Sequence, residues 1–230
     1  MTPPARAGQL PGPTDTSWVH WQPCVRVAGF RTQPAEAFER AVDPADVADV
    51  LAIRDAGRRP SLDPGDVVMG PGARWVMAPF VRVSPDGTRF SDGTFGAYYA
   101  ARDELTAVAE VRFHHARALA RTAEPPTLLG GRLLLATLDA ALVDIRGRKS
   151  ALAELYDPDP GNYPPAQRWG RAMREAGSVG IVYDSVRRAG GECAAVFRPR
   201  ALSGCVEGDH IAYEWDGARI TTVHRLTRID

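Results

Sequence analysis

Apolar positions along the chain fall into short runs and helical stripes, without the strand–helix–strand rhythm of a doubly wound sheet. Residues 1–17 are rich in Pro, Gly and Thr and show no periodicity, which predicts a flexible N-terminal tail ahead of a single domain over 18–230. Val25-Arg26-Val27 reads as a strand. Residues 34–57 carry helical spacing at Ala35, Phe38, Val42, Val47, Val50 and Leu51, and 58–73 is broken by Pro and Gly; the helical and loop region of about 34–73 reads as an insertion. Trp75 to Val83 is apolar apart from Arg82 and is expected as a strand, followed by a turn at Pro85-Asp86-Gly87. Two tyrosines, Tyr98 and Tyr99, are expected to close a short strand. Asp103 is placed as the N-cap of a helix whose apolar stripe is Leu105, Ala109, Phe113, Ala116 and Ala120. Leu133 to Ile145 fits strand and helix equally. A second helix is expected from Pro165 to Ala176, ending at Gly177. Strands are expected at 180–186 and 192–197, then a hairpin of His210–Trp215 with Ile220–Val223. Helices and strands mixed in this order predict an α+β fold.

Composition narrows the function classes. The 230 residues hold 28 Lys and Arg against 28 Asp and Glu, so the formal net charge is zero. That argues against a broad nucleic-acid footprint, and no helix-turn-helix is recognisable. No run reaches the roughly 20 apolar residues of a membrane span, and the first residues lack a secretory core, so a cytoplasmic location is expected. The three cysteines, Cys24, Cys193 and Cys205, match no zinc spacing and read as reduced thiols. His114 and His115 are adjacent on a helix and point about 100° apart, so they cannot chelate one metal together; no metal is expected.

Two clusters carry candidate chemistry. In the first, Arg89 precedes a glycine-punctuated turn, Tyr98 and Tyr99 follow, and Glu110 borders the apolar stripe of the next helix. A carboxylate there is costly without partners. Spacing alone favours reading Glu110 as half of a surface pair, for instance with His114 at i+4. In the second, small residues crowd Gly177 to Gly191 around Ser185, which suits either close backbone approach to a ligand or a set of turns.

Together, Arg89-Phe90-Ser91, Tyr99 with Thr106-Ala107-Val108-Ala109-Glu110, and Gly180-Ile181-Val182-Tyr183-Asp184-Ser185-Val186-Arg187 with Cys193-Ala194-Ala195-Val196-Phe197 resemble the RES domain family over residues 24–200. The resemblance implies an ADP-ribosyltransferase-like fold, a split mixed and antiparallel β core with flanking helices. It implies NAD as substrate, cleaved at the nicotinamide–ribose bond by a glycohydrolase or phosphorylase that is the toxin of a toxin–antitoxin pair. The partner it implies is an Xre-type helix-turn-helix antitoxin, with a second copy of the chain left open. A protein ADP-ribosyltransferase on the same site, or a non-catalytic nucleotide- or partner-binding module, are the alternatives. Carried over by position, Glu110, Arg26 and Ser185 take the catalytic roles. Tyr99, Tyr98, Arg89 and Arg31 take the NAD-binding ones, with Arg31 competing with Arg26 for the first family arginine. The stretch 164–170, where some family members carry the serine, holds none; either Ser185 takes that role or the role is missing.

Overall fold

The computed structural model describes residues 10–30 and 63–227. Arg31 and the helical pattern over 34–57 lie outside the described residues. The strands are β1 (Thr16–Gly29), β2 (Tyr98–Ala101), β3 (Thr127–Asp144), β4 (Gly180–Asp184), β5 (Glu192–Val196), β6 (Leu202–Trp215) and β7 (Ile220–Leu226). The α-helices are α1 (Ala73–Val81), α2 (Glu104–Leu119) and α3 (Pro164–Glu175). The fold is α+β. Its seven-stranded sheet runs β1-β2-β5-β4-β3-β6-β7, with β1 also paired to β3. All pairings are antiparallel except β3–β4.

The sheet divides into two halves. β2, β5 and β4 form one, and β3, β6 and β7 the other. They are joined by β1, which meets β2 at the single pair Val25↔Ala101 while following β3 from Thr16 to Gly29. The second join is two parallel pairs, Val143↔Ile181 and Asp144↔Val182. Where β1 and β2 separate, a gap opens between the halves.

Each sheet face has its own core. Val25, Val27, Ala101, Ala107, Trp169 and Ile181 pack on the side of α2 and α3. Cys24, Ala28, Tyr98, Ala100, Trp75 and Phe80 pack on the side of α1. The alternation along β1 and β2 is the period of two that a pleated strand imposes. The described part of the N-terminal extension lies against the domain, with Trp169 Nε1 donating to the Pro11 carbonyl at 3.1 Å.

Most expected elements are present, with four corrections. The run from Trp75, expected as a strand, is helix α1. Trp75, Val76, Met77, Ala78 and Phe80 are all buried, so no alternation distinguishes a strand face. Gly70 and Gly72 turn the chain into the helix at φ of 86° and 82°. A Cβ on Gly72 would stand 2.1 Å from the Cys205 carbonyl oxygen. Burying side chains such as Met77 and Phe80 contributes about 1.5–3 kcal/mol each. That offsets the roughly 3 kcal/mol cost of Pro79 inside the helix. Second, the ambiguous segment 133–145 belongs to the 18-residue strand β3. Third, Tyr98 and Tyr99 open β2 rather than close a strand. Fourth, the apolar stripe assigned to α2 is not its buried face: Leu105 is 64% exposed, while Thr106 and Ala107 are buried.

The N-cap of α2 is as expected. Asp103 accepts from Thr106 N at 2.9 Å and from Thr106 Oγ1 at 2.7 Å. Asp103→Ala should lower unfolding free energy by about 1 kcal/mol, the usual cost of a lost cap. Urea denaturation checks this; a change below about 0.3 kcal/mol would show that packing of Thr106 and Ala107, not the cap, fixes the start of α2.

Candidate functional site

The gap between β1 and β2, roofed by α2, opens into a cleft of about 880 Å³. Glu110, Tyr99, Arg26, Arg89, Tyr183 and Cys193 are among its lining residues. A smaller cavity of about 380 Å³ adjoins it and shares Arg26, Thr88 and Tyr99, with Trp75 and Pro79 on its far wall.

Glu110 lies on the inward face of α2. Its Oε1 accepts from Ser185 Oγ at 2.6 Å and from Cys193 Sγ at 3.7 Å. No ion pair joins it to His114 among the described residues, so the i+4 surface-pair reading does not describe this glutamate. Burial, and then the nearness of Glu110, push the Cys193 thiol well above its ordinary value, so it stays protonated and able to donate.

Ser185 is 1% exposed and is itself held from several sides. Its hydroxyl accepts from Arg187 N and Arg188 N, both at 3.0 Å. Its amide donates to Gly191 O at 2.8 Å, and its carbonyl accepts from Lys149 Nζ at 2.7 Å. Arg188 Nη1 reaches Thr106 Oγ1 at 3.1 Å, which ties this turn to the first turn of α2. Gly191 is required there, since a Cβ would meet Thr106 Oγ1 at 2.6 Å. Ser185 therefore touches Glu110 and is not among the residues that line the cleft.

The two tyrosines part company. Adjacent residues on a strand face opposite sides. Tyr99 presents its ring to the cleft, and its hydroxyl is fixed by Thr88 Oγ1 at 2.8 Å and Phe90 N at 2.9 Å. Burial pushes that hydroxyl up to about 12. Tyr98 is fully buried in the core beside α1 and lines neither cavity, so the structure does not bring it to the site. Arg26 bridges the gap: its guanidinium lies 5.0 Å from the Tyr98 ring and donates from Nη1 to the Tyr99 carbonyl at 2.9 Å. Burial lowers its pKa from the ordinary arginine value.

Arg89, 6% exposed, spends its donors on its own chain. It donates to the carbonyls of Leu155 at 3.0 Å and Asp157 at 2.8 Å, and to Tyr163 Oη at 3.2 Å, with its guanidinium 4.5 Å from the Tyr163 ring. Three of its five N–H donors are engaged in this way, and they tie the cleft wall together.

The sequence reading missed His114, Arg117 and Arg121, which also line the cleft. Part of their signal was available: Glu110, His114 and Arg117 stand at i, i+4 and i+7, one face of α2, while Arg121 lies in the turn after it. Desolvation, then Arg187, Arg89 and Arg117, pull the His114 pKa down to about 4, so it is neutral at pH 7. Among the described residues no group of three or more His, Cys, Asp or Glu stands close enough to hold a metal ion, and no helix is long and apolar enough to cross a membrane.

A family model for the RES domain matches residues 67–216. The chain belongs to the RES domain family. Arg89, Tyr98, Tyr99, Glu110 and Ser185 lie inside the matched stretch; Arg26 and Arg31 precede it. An uncharacterized protein of Sinorhizobium fredii, y4oC, is 31% identical over 152 residues, which span 65% of this chain and 61% of that protein. The match thus spans less than two thirds of that relative's length. Among solved structures, the M. tuberculosis MbcT-MbcA toxin-antitoxin complex shows a distant likeness: 15% identity, 92% of this chain and 87% of that chain covered, TM-score 0.46.

The engagement of Arg89 has a measurable consequence. Arg89→Met would strand two carbonyls and the Tyr163 hydroxyl, and should cost roughly 2–4 kcal/mol of unfolding free energy. Guanidinium denaturation checks it. Unchanged stability would mean that those groups find water and that Arg89 is free to serve a ligand.

Proposed function

We propose that the cleft binds NAD as substrate and breaks its nicotinamide–ribose bond, and that the protein is the toxin of a toxin–antitoxin pair whose partner is an Xre-type helix-turn-helix antitoxin. Membership of the RES family supports the substrate and the partner. The observation that carries the chemistry is the 2.6 Å bond from Ser185 to Glu110, a residue that lines the cleft.

The bond from ribose C1′ to the nicotinamide nitrogen breaks with its electron pair going to nicotinamide. The ring leaves neutral, so no strong general acid is needed, and the ribose acquires oxocarbenium character. A carboxylate fixed beforehand stabilises that charge without reorganising. Ser185 supplies the fixing: it holds Oε1, and no protein donor reaches Oε2 among the described residues. Oε2 is then available to the ribose or to the entering nucleophile, whose proton it can take if that nucleophile is water. The Tyr99 ring, clamped by Thr88 and Phe90, offers a face for the flat nicotinamide cation before it leaves. The contact between Ser185 and Glu110 favours catalysis over a non-catalytic module, because the serine missing from 164–170 is supplied from after β4.

Glu110→Gln keeps the shape and removes the charge. Nicotinamide release from NAD should fall by roughly two to three orders of magnitude. Ser185→Ala, read in the same assay, should lower kcat about tenfold with KM for NAD nearly unchanged, since it frees the carboxylate without touching the ligand. The second product identifies the acceptor: ADP-ribose for water, its phosphorylated form for phosphate, or ADP-ribosylated protein. Full nicotinamide release by a folded Glu110→Gln protein would remove Glu110 from the reaction.

A further inference from the structure

The arginines around the cleft divide by what they already hold. Arg89 is bound to two carbonyls and a tyrosine hydroxyl. Arg26 is bound to the Tyr99 carbonyl and lies over Tyr98. Arg121 has no hydrogen-bond or ion-pair partner among the described residues. Arg117 has only a 3.9 Å contact with Asp159, whose side chain is 65% exposed, a pair worth little in solvent. Both line the cleft with Glu110, Arg117 from α2 and Arg121 from the turn that follows it. At 1.5 Å per residue, Arg117 is rooted roughly 10 Å along the helix axis from Glu110, and Arg121 lies just beyond the C-cap residue Ala120. Helical side chains lean back toward the N-terminus, so the Arg117 guanidinium reaches from there toward Glu110.

Glu110 and the two arginines follow one another along this wall, as the nicotinamide ribose and the diphosphate do in a dinucleotide. If the scissile bond lies at Glu110, the diphosphate lies one ribose further on, and a planar guanidinium is suited to two of its oxygens at once. His114 stands between the two ends. The carboxylates facing the same space are Glu110, Asp86 and Asp159. Of these, Asp159 is the one against Arg117, and an entering phosphate would replace it.

Resting on the NAD reading above, we propose that Arg117 and Arg121 form the phosphate-binding end of the cleft and take the diphosphate of the dinucleotide, while Arg89 and Arg26 hold the walls. An anion at this site comes either from the dinucleotide or from free phosphate, and a titration can separate the two.

Calorimetry on Glu110→Gln protein, in which turnover is slowed, compares that background with the same protein carrying Arg117→Ala and Arg121→Ala. The ligands are NAD, nicotinamide riboside, inorganic pyrophosphate and inorganic phosphate. Affinity for NAD should fall roughly 100-fold, pyrophosphate binding should be lost, and nicotinamide riboside should bind within about twofold of the background. Unchanged NAD affinity would overturn the proposal, as would an equal loss for nicotinamide riboside. Loss of inorganic phosphate binding with NAD unaffected would make this a free-phosphate site and also overturn it. Pyrophosphate binding that depends on both arginines, in a protein that does not bind NAD, would keep the anion site and sink the NAD reading. Should the double alanine protein melt early, Arg117→Gln with Arg121→Gln keeps most of each stem and answers the same question.

Discussion

A carboxylate taken partly out of water needs a partner to keep one orientation, and at Glu110 one hydroxyl supplies it. The bond from Ser185 Oγ to Glu110 Oε1 joins residues 75 apart in sequence. Much of the surrounding structure serves to make that meeting possible. β4 delivers Ser185, two backbone amides aim its hydroxyl, and Lys149 and Gly191 fix its backbone. The absence of a side chain at Gly191 lets the turn close on Thr106, and Asp103 caps the same helix turn from the other side. Glu110 sits one turn later. A hydrogen bond to a charged group is worth only about 1.5–3 kcal/mol, so its value lies in orientation more than in stability.

The split sheet makes room for the rest. Because β1 and β2 share a single register pair, the two halves diverge and leave the cleft between them. Arg26 spans that divergence and Arg89 ties the 88–90 turn to the loop at 155–163, so these cations act as struts. A zero net charge is compatible with a strongly cationic wall because charge is spatially sorted. Carboxylates such as Glu192, Asp144 and Glu207 neutralise arginines elsewhere in the fold, while the distal half of α2 is left with almost none.

What could be read in the sequence was what is set locally. The cap at Asp103, the turn at Gly87, and the β4, β5 and β6–β7 strands follow from short-range rules. Helix α1 was misread because a run buried all round carries no period. β3 was undecided because both its faces are covered in places. Glu110 and Tyr99 were found through a family pattern. Tyr98 was included with them although strand alternation already placed it on the other face. The engagement of Arg89 could not be read at all, since its acceptors, Leu155 and Asp157, are 66 and 68 residues away. Arg117 and Arg121 were missed for the opposite reason. The helical spacing of Arg117 from Glu110 was plain, but a helix face and following turn directed toward a polar cleft look solvated to a rule that seeks apolar stripes.

The most direct measurement is the crystal structure of the Glu110→Gln protein soaked with NAD. The nicotinamide ribose should lie against residue 110 in the larger cleft, with the nicotinamide ring on Tyr99. NAD seated instead in the smaller cavity beside Trp75 and Pro79, or no bound NAD at a saturating concentration, would contradict the assignment of this cleft as the NAD site.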